Sequence, residues 1–233
     1  MIVTTFTNIL FLLVTYPVHN SGSFRFLQNQ QSSSEVPNRQ SNNLNFLITK
    51  TWDGLGAPDN TSISITLSSN DSQKSKTSAL EIRVEAPYFN DPQIPDSPPG
   101  PLNRLWEYEV VEAFFLNSLT NEYLEIELSP TGHYLILKLN GVRQVTESLL
   151  PLDVFQTNIN YENNTWTGVA HIPWNYFPAH VDKFNAYAIH KSEPDRVYLS
   201  LFPVPNGKFE GPDFHRVQYF GNIDLVGLRS NKL

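Results

Sequence analysis

Along the chain, apolar residues alternate with polar ones in short bursts, and no segment carries a long 3.6-residue period. The cleanest burst sets Leu80, Ile82, Val84 and Ala86 against Glu81, Arg83 and Glu85, the pattern of a half-buried antiparallel strand. Ile63, Ile65 and Leu67 alternate with Ser and Thr over residues 61–67, and residues 45–51 alternate weakly. The longest apolar, β-branched and aromatic run is Leu105 to Asn117. Read with period two, Trp106, Tyr108, Val110, Glu112, Phe114 and Leu116 share one face. Glu107, Glu109, Val111, Ala113 and Phe115 share the other. Both faces are largely apolar beyond residue 110, which predicts a strand buried on both sides. Glu112 is the exception in that row, and a buried carboxylate needs a partner, a proton or a cleft.

After this run, residues 122–128 and 133–140 flank Ser129-Pro-Thr-Gly132 and predict a hairpin through a type I turn. Pairing Leu128 with His133 would align Ile126 with Leu135 and Leu124 with Leu137, and a one-residue slip would exchange the faces. Further strands are predicted at 153–159, 165–172, 184–190 and 196–202, with a short helical turn at Pro173 to Phe177. Asn90 to Pro101 holds five prolines and reads as a rigid loop feeding the long run. About ten short strands at this spacing predict an all-β fold, an antiparallel, jelly-roll-like β-sandwich.

The ends differ from this middle. Ile9 to Val14 is an apolar core far too short for a bilayer of about 30 Å, so no transmembrane span is expected. Residues 1–20 read as a signal peptide, making the protein secreted if they are cleaved and cytoplasmic otherwise. Residues 21–44 are rich in Ser, Gln and Asn and read as a disordered linker. The sandwich is expected over 45–227, with 228–233 as a tail. Charged residues make up 17% of the 233, and the net charge of −7 argues against a nucleic-acid partner. The absence of cysteine excludes disulfides, thiolate metal sites and cysteine nucleophiles. Oligomeric state is not legible.

Candidate chemistry concentrates in two residue types. Glu107, Glu109 and Glu112, with Glu122, Glu125 and Glu127, are the densest carboxylate group. They read either as a solvated face pairing with Lys138 and Arg143 or as ligand contacts. Paired glycosidase carboxylates would lie about 5 to 9.5 Å apart, a spacing almost any acidic strand meets. Trp52, beside Asp53, and Trp106 and Trp174 each sit at an element boundary among polar residues. They read as core anchors or as flat platforms for an apolar ligand face, whereas Trp166 lies inside an alternating strand and reads as core. His133, His171, His190 and His215 lack the spacing of zinc motifs, and Asp213 with His215 has no third ligand in view, so no metal site is expected. Asp91, Asp96 and Glu107 near the proline-rich loop lack a calcium-loop pattern. No serine-nucleophile elbow or phosphate-binding loop occurs, and no cofactor or catalytic residue is assigned.

Several long runs carry a family resemblance: Thr51-Trp-Asp-Gly54, Ala86 to Pro92, Leu105 to Asn117, Tyr123 to Leu128, Ile172 to Pro178, Phe184 to His190 and Pro212 to His215. Over residues 48–225 the chain resembles the uncharacterised family typified by the open-reading-frame thirty-three protein of human chromosome four. That family brings no established activity. Trp106, Glu109 and Glu112-Ala-Phe-Phe115 are also similar to a pattern in carbohydrate-binding modules of family nine and the related DOMON-like sandwiches. The resemblance implies a glycan site using Trp106 and Glu112. A haem-binding variant of that fold would want an axial Met or His, and the sole Met is Met1.

Geometry limits the analogy. Six extended residues span about 20 Å, too far for Trp106 and Glu112 to share one sugar ring unless Trp106 curls back from the loop before the strand starts. The expected function is a non-catalytic module for a glycan or other small polar ligand, contacted by Trp52, Asp53, Trp106, Glu107, Glu109, Glu112 and Trp174. The rivals are a sugar hydrolase using paired carboxylates among Glu107, Glu109 and Glu112, and a protein-interaction sandwich whose tryptophans are all core.

Overall fold

The alternating segments are strands. The computed structural model describes residues 43–70, 78–94 and 96–229, so the signal-peptide and most of the linker expectations lie outside the described residues. The chain there forms β1 (Leu44–Ile48), β2 (Lys50–Thr51), β3 (Ile63–Asn70), β4 (Ala79–Pro87), β5 (Val110–Asn117), β6 (Glu122–Leu128) and β7 (Tyr134–Asn140). It continues through β8 (Val145–Glu147), β9 (Phe155–Asn160), β10 (Thr165–Pro173), β11 (Lys183–His190), β12 (Val197–Ser200) and β13 (Gly221–Asn222). Helical structure among the described residues is confined to short 3-10 turns, and none is long and apolar enough to cross a membrane.

Two antiparallel sheets result. One has the order β1-β3-β4-β10-β9, the other β2-β12-β11-β5-β6-β7-β8 with β13 attached to β11. Ile63, Ile65 and Leu67 of β3, Leu80, Ile82 and Val84 of β4, and Val111, Ala113 and Phe115 of β5 meet between the sheets, with Trp166 among them as expected. This is the predicted β-sandwich, in which inward faces of both sheets interdigitate. Leu228 is buried in the same core.

The larger sheet is buried on its outer face too. Val110, Phe114, Leu116, Tyr123, Leu135, Leu137, Leu139, Tyr187 and Ile189 form a second apolar cluster there. Phe214 and Phe220 of the return segment (residues 203–220, between β12 and β13) and Leu105 cover it, and Ile94 of the proline-rich loop and Leu102 just after it pack against it. Two-sided burial explains why β5 reads as a continuous apolar run.

Three expectations are corrected. The weakly alternating stretch 45–51 is two strands in different sheets, because the chain crosses from β1 in the smaller sheet to β2 in the larger. The strand expected from residue 105 begins at Val110. Leu105–Glu107 is instead a 3-10 turn entered through Arg104 in the left-handed region (φ 60°). The hairpin register differs by one residue: Leu128 pairs with Tyr134, Ile126 with Ile136 and Leu124 with Lys138. The turn is longer than four residues, closing with the Ser129 N–H donating to the His133 carbonyl at 2.9 Å. Matching apolar residues on one face picks the wrong register when both faces are buried.

Candidate functional site

The register decides where the acids go. On the outer face of the larger sheet, Glu112 of β5 stands directly across from Glu127 of β6, and Phe114 across from Glu125. In β7, Leu135 lies beside Glu127 and Leu137 beside Glu125. Glu112, Glu125 and Glu127 are therefore buried, at 2%, 4% and 0% exposure. The expected solvated acidic face is overturned for Glu125 and Glu127. Lys138 pairs instead with Glu147 at 3.1 Å, and Arg143 with Asp213 at 2.7 Å.

A cavity of about 340 Å³ opens on this face. Glu112 and Glu125 line its acidic side, and the apolar lining includes Leu137, Leu139, Ile189 and Phe214. Arg143, Asp213 and His215 lie at another side, and Trp106 and Tyr198 complete the wall. Trp106 is 39% exposed. The 3-10 turn brings its indole to the same cavity as Glu112, the curl that the sugar-site analogy requires. Arg196 holds that turn by donating to the Trp106 carbonyl at 2.7 Å and the Glu107 carbonyl at 3.1 Å.

Burial sets the protonation of the acids. It pushes Glu112 well above the usual carboxylate range, the neighbouring Glu125 pushes it further, and Arg196 pulls only partly back. Burial raises Glu125 to about 7 against the opposing pull of Glu127 and Arg143. Glu127 is driven well up by burial and by the charges of Glu112 and Glu125. Glu125 and Glu127 lie near enough to share a proton, and the Trp106 backbone N–H draws Glu127 partly back, although neither oxygen of Glu127, nor Oε2 of Glu125, has a partner at ordinary hydrogen-bond geometry among the described residues. All three acids are thus shifted toward the protonated form, with Glu125 at about 7.

Behind the acids lies a relay. Tyr123 accepts the Arg143 backbone N–H at 3.0 Å, and its hydroxyl lies 2.7 Å from His215 Nδ1. A hydroxyl that accepts one bond is still free to donate, and where Tyr123 donates to Nδ1 the His215 proton lies on Nε2. That Nε2 stands 3.9 Å from Glu125 Oε2. Burial and then Arg143 lower His215 to about 4, so the ring is neutral at physiological pH. Burial also works to raise Asp213, but the His215 N–H and Arg143 outweigh it and hold the carboxylate below its usual range.

The other sequence candidates lie elsewhere. Glu109 is buried but serves the loop: its carboxylate accepts the Phe89 N–H at 3.1 Å and the Asn90 N–H at 2.6 Å, while burial lifts it to about 7. Glu107 pairs with Arg104 on the 3-10 turn. Asp53 accepts from the Thr51 hydroxyl at 2.6 Å and the Asn206 amide at 2.8 Å, tying its turn to the return segment. Trp52 packs half-buried against the outer cluster with Arg216 over its ring, and does not line the cavity. Trp174 packs against the inter-sheet core, near Phe177 and under Arg229. Of the seven candidates, Trp106 and Glu112 line the cavity. Among the described residues no three His, Asp or Glu side chains gather as a metal site would need.

Sequence reasoning placed Glu125 and Glu127 in the acidic group, but not in a buried site. The signal was Tyr123-Leu-Glu-Ile-Glu-Leu128, which puts acids opposite the apolar face that β6 presents to the core. Arg196 and Tyr198 left no comparable signal: Arg196 stands in the loop before β12 and Tyr198 on that short strand.

Comparison with known proteins places this geometry. No family model matches the chain. A zebrafish (Danio rerio) protein, the UPF0462 protein C4orf33 homolog, is 46% identical over 189 residues, covering 79% of this chain and 91% of its own length. The human (Homo sapiens) UPF0462 protein C4orf33 is 42% identical over 186 residues, covering 78% and 88%. The chain belongs to the UPF0462 family. The mouse (Mus musculus) homolog is 45% identical over 181 residues, 76% of this chain and 89% of its own. Among solved structures, "a putative carbohydrate-binding protein" from Bacteroides uniformis superposes with a TM-score of 0.50 at 19% identity, covering 74% of this chain and 84% of that one. At that identity the likeness is one of fold.

Proposed function

We propose that the protein is a non-catalytic binding module whose ligand, a glycan or other small polar molecule, occupies the cavity on the outer face of the larger sheet. The observation that carries the reading is that the Trp106 indole and the carboxyls of Glu112 and Glu125 line one cavity of about 340 Å³. That volume falls within the range of small-ligand pockets, roughly 300 to 1,000 Å³. An indole offers a flat apolar face for the C–H side of a sugar ring. Protonated carboxyls both donate and accept, which suits vicinal hydroxyls. The fold shared with a structure described as carbohydrate-binding supports the same reading.

A glycan array probed with wild type and Trp106→Ala tests it. Binding of one glycan class by wild type, lost in the variant, is expected. Absence of any wild-type binding, or equal binding by both proteins, overturns it.

One observation favours a second, hydrolytic reading. Glu112 and Glu125 are diagonal neighbours across β5 and β6, roughly 7 to 8 Å apart at the backbone. Glycosidase carboxylates stand about 5 to 9.5 Å apart, one neutral and one ionised. Both are raised, Glu112 by burial and by Glu125, and Glu125 by burial to about 7, which is the direction a general acid needs. The earlier trio offers no such pair, because Glu107 is held by Arg104 and Glu109 by the loop. Turnover of an array-positive glycan by wild type, abolished in Glu112→Gln, would replace the binding reading with this one.

A further inference from the structure

We propose that the ligand bears a protonated primary amine, as an amino sugar does, and that the amine sits against Glu112 and Glu125 beside the Trp106 indole. The inference rests on the cavity being a sugar site and narrows what it takes.

Among the described residues no Arg or Lys forms an ion pair with Glu112 or Glu125; Arg196 and Arg143 act on them only from further off. The direct contacts of the nearby basic groups go elsewhere. Arg143 is bound to Asp213, and Arg196 donates to the carbonyls of residues 106 and 107. Arg216 donates to the Gly211 carbonyl at 3.1 Å and stacks on Phe209 at 3.9 Å. His215 is neutral, and its Nε2 stands 3.9 Å from Glu125 Oε2, beyond hydrogen-bond distance. Against these stand three buried carboxyls, and Glu125 Oε2, at the cavity, has no hydrogen-bond partner. Neutral hydroxyls can pair with the protonated acids, whereas only a cation gives an ionised carboxylate in this desolvated site a charge partner. A seated ammonium would give Glu112 and Glu125 an ion pair and three N–H donors, and an adjacent indole face attracts cations.

Protons must balance. An acid that is neutral in the empty cavity gives its proton to solvent when the ammonium enters and pairs with the carboxylate. Glu125, at about 7, is the acid best placed to do so. The groups facing it are Glu127 and Tyr123 on its own strand, Glu112 on β5, and His215, Asp213 and Arg143 on the covering loops. Tyr187 on β11 faces Glu112. Binding of the amine at about pH 6 should therefore release about one proton.

Calorimetric titration of the full chain with glucosamine, glucose and ethylammonium at about pH 6, in two buffers of different ionisation heat, tests this. Glucosamine is expected to bind at least about tenfold tighter than glucose, with proton release, and Glu125→Gln to bring the two sugars within about twofold. Glucosamine and glucose bound equally by wild type would overturn the amine while leaving the sugar site. Ethylammonium bound as tightly as glucosamine, with no glucose binding, would keep the amine and remove the sugar site. Silence of all three would remove both.

Discussion

Glu112 of β5 and Glu127 of β6 are direct cross-strand neighbours, both buried on the outer face of the larger sheet. Two like charges so placed destabilise a sheet, and burial multiplies the effect. Burial and their mutual repulsion both favour the protonated forms in the folded state. Both acids are raised well above 4.5, Glu125 beside them rises to about 7, and Glu109 does likewise at the loop.

The consequence is a stability that falls as pH rises. A carboxyl raised on folding contributes fully below its unfolded value near 4.5, and the contribution is lost as pH climbs through the folded value. His190 and His215, lowered from 6.5 to about 4, act oppositely between those values. The four glutamates outnumber them there, and above 6.5 only the glutamates still titrate. Tm is expected to be higher at about pH 5 than at about pH 8, and Glu127→Gln to recover on the order of 2 kcal/mol at the higher pH. Thermal unfolding across this range checks it; a Tm that climbs from pH 5 to pH 8 would show the acids ionised and paired.

Arg196 acts on the site through Trp106. Its two bonds to the carbonyls of Trp106 and Glu107 fix the 3-10 turn that carries the indole. Arg196→Gln should weaken glycan binding roughly tenfold while leaving the β-sandwich folded, since the loss falls on placement. Binding measured beside a circular-dichroism melt separates the two effects. Unchanged affinity would mean the turn holds its shape without the guanidinium.

Glu109 belongs to the scaffold. Removing its carboxylate in Glu109→Ala strands the N–H groups of Phe89 and Asn90 in a partly buried loop. A loss of about 2 to 4 kcal/mol is expected, read by denaturant unfolding, with unaltered affinity in the folded fraction. A stability within about 0.5 kcal/mol of wild type would remove the carboxylate as the loop's anchor.

Much of the fold was legible because burial on one side leaves a period-two trace, as in β3 and β4. The trace fails where both faces are buried. There Leu135 and Leu137 match Ile126 and Leu124 on paper, but the longer turn shifts them beside Glu127 and Glu125. The acids that read as solvated lie on an outer face that Leu105, Phe214 and Phe220 cover, where Glu112 and Glu125 line the cavity. Trp106 and Glu112 were legible as a pair through the family-nine motif, and the break of the strand at residue 110 lets them meet. Trp52 and Trp174 share their boundary positions with Trp106 but fall against packed clusters, a difference set by loops that carry no period.

The central claim is that Trp106, and not the other boundary tryptophans, builds the ligand site. Calorimetric titration of the array's strongest glycan into wild type, Trp106→Ala and Trp174→Ala tests it most directly. An affinity within about twofold of wild type is expected for Trp174→Ala and a loss of at least about tenfold for Trp106→Ala, the effect of removing one aromatic platform. Undiminished affinity in Trp106→Ala, or an equal loss in both variants, would contradict it.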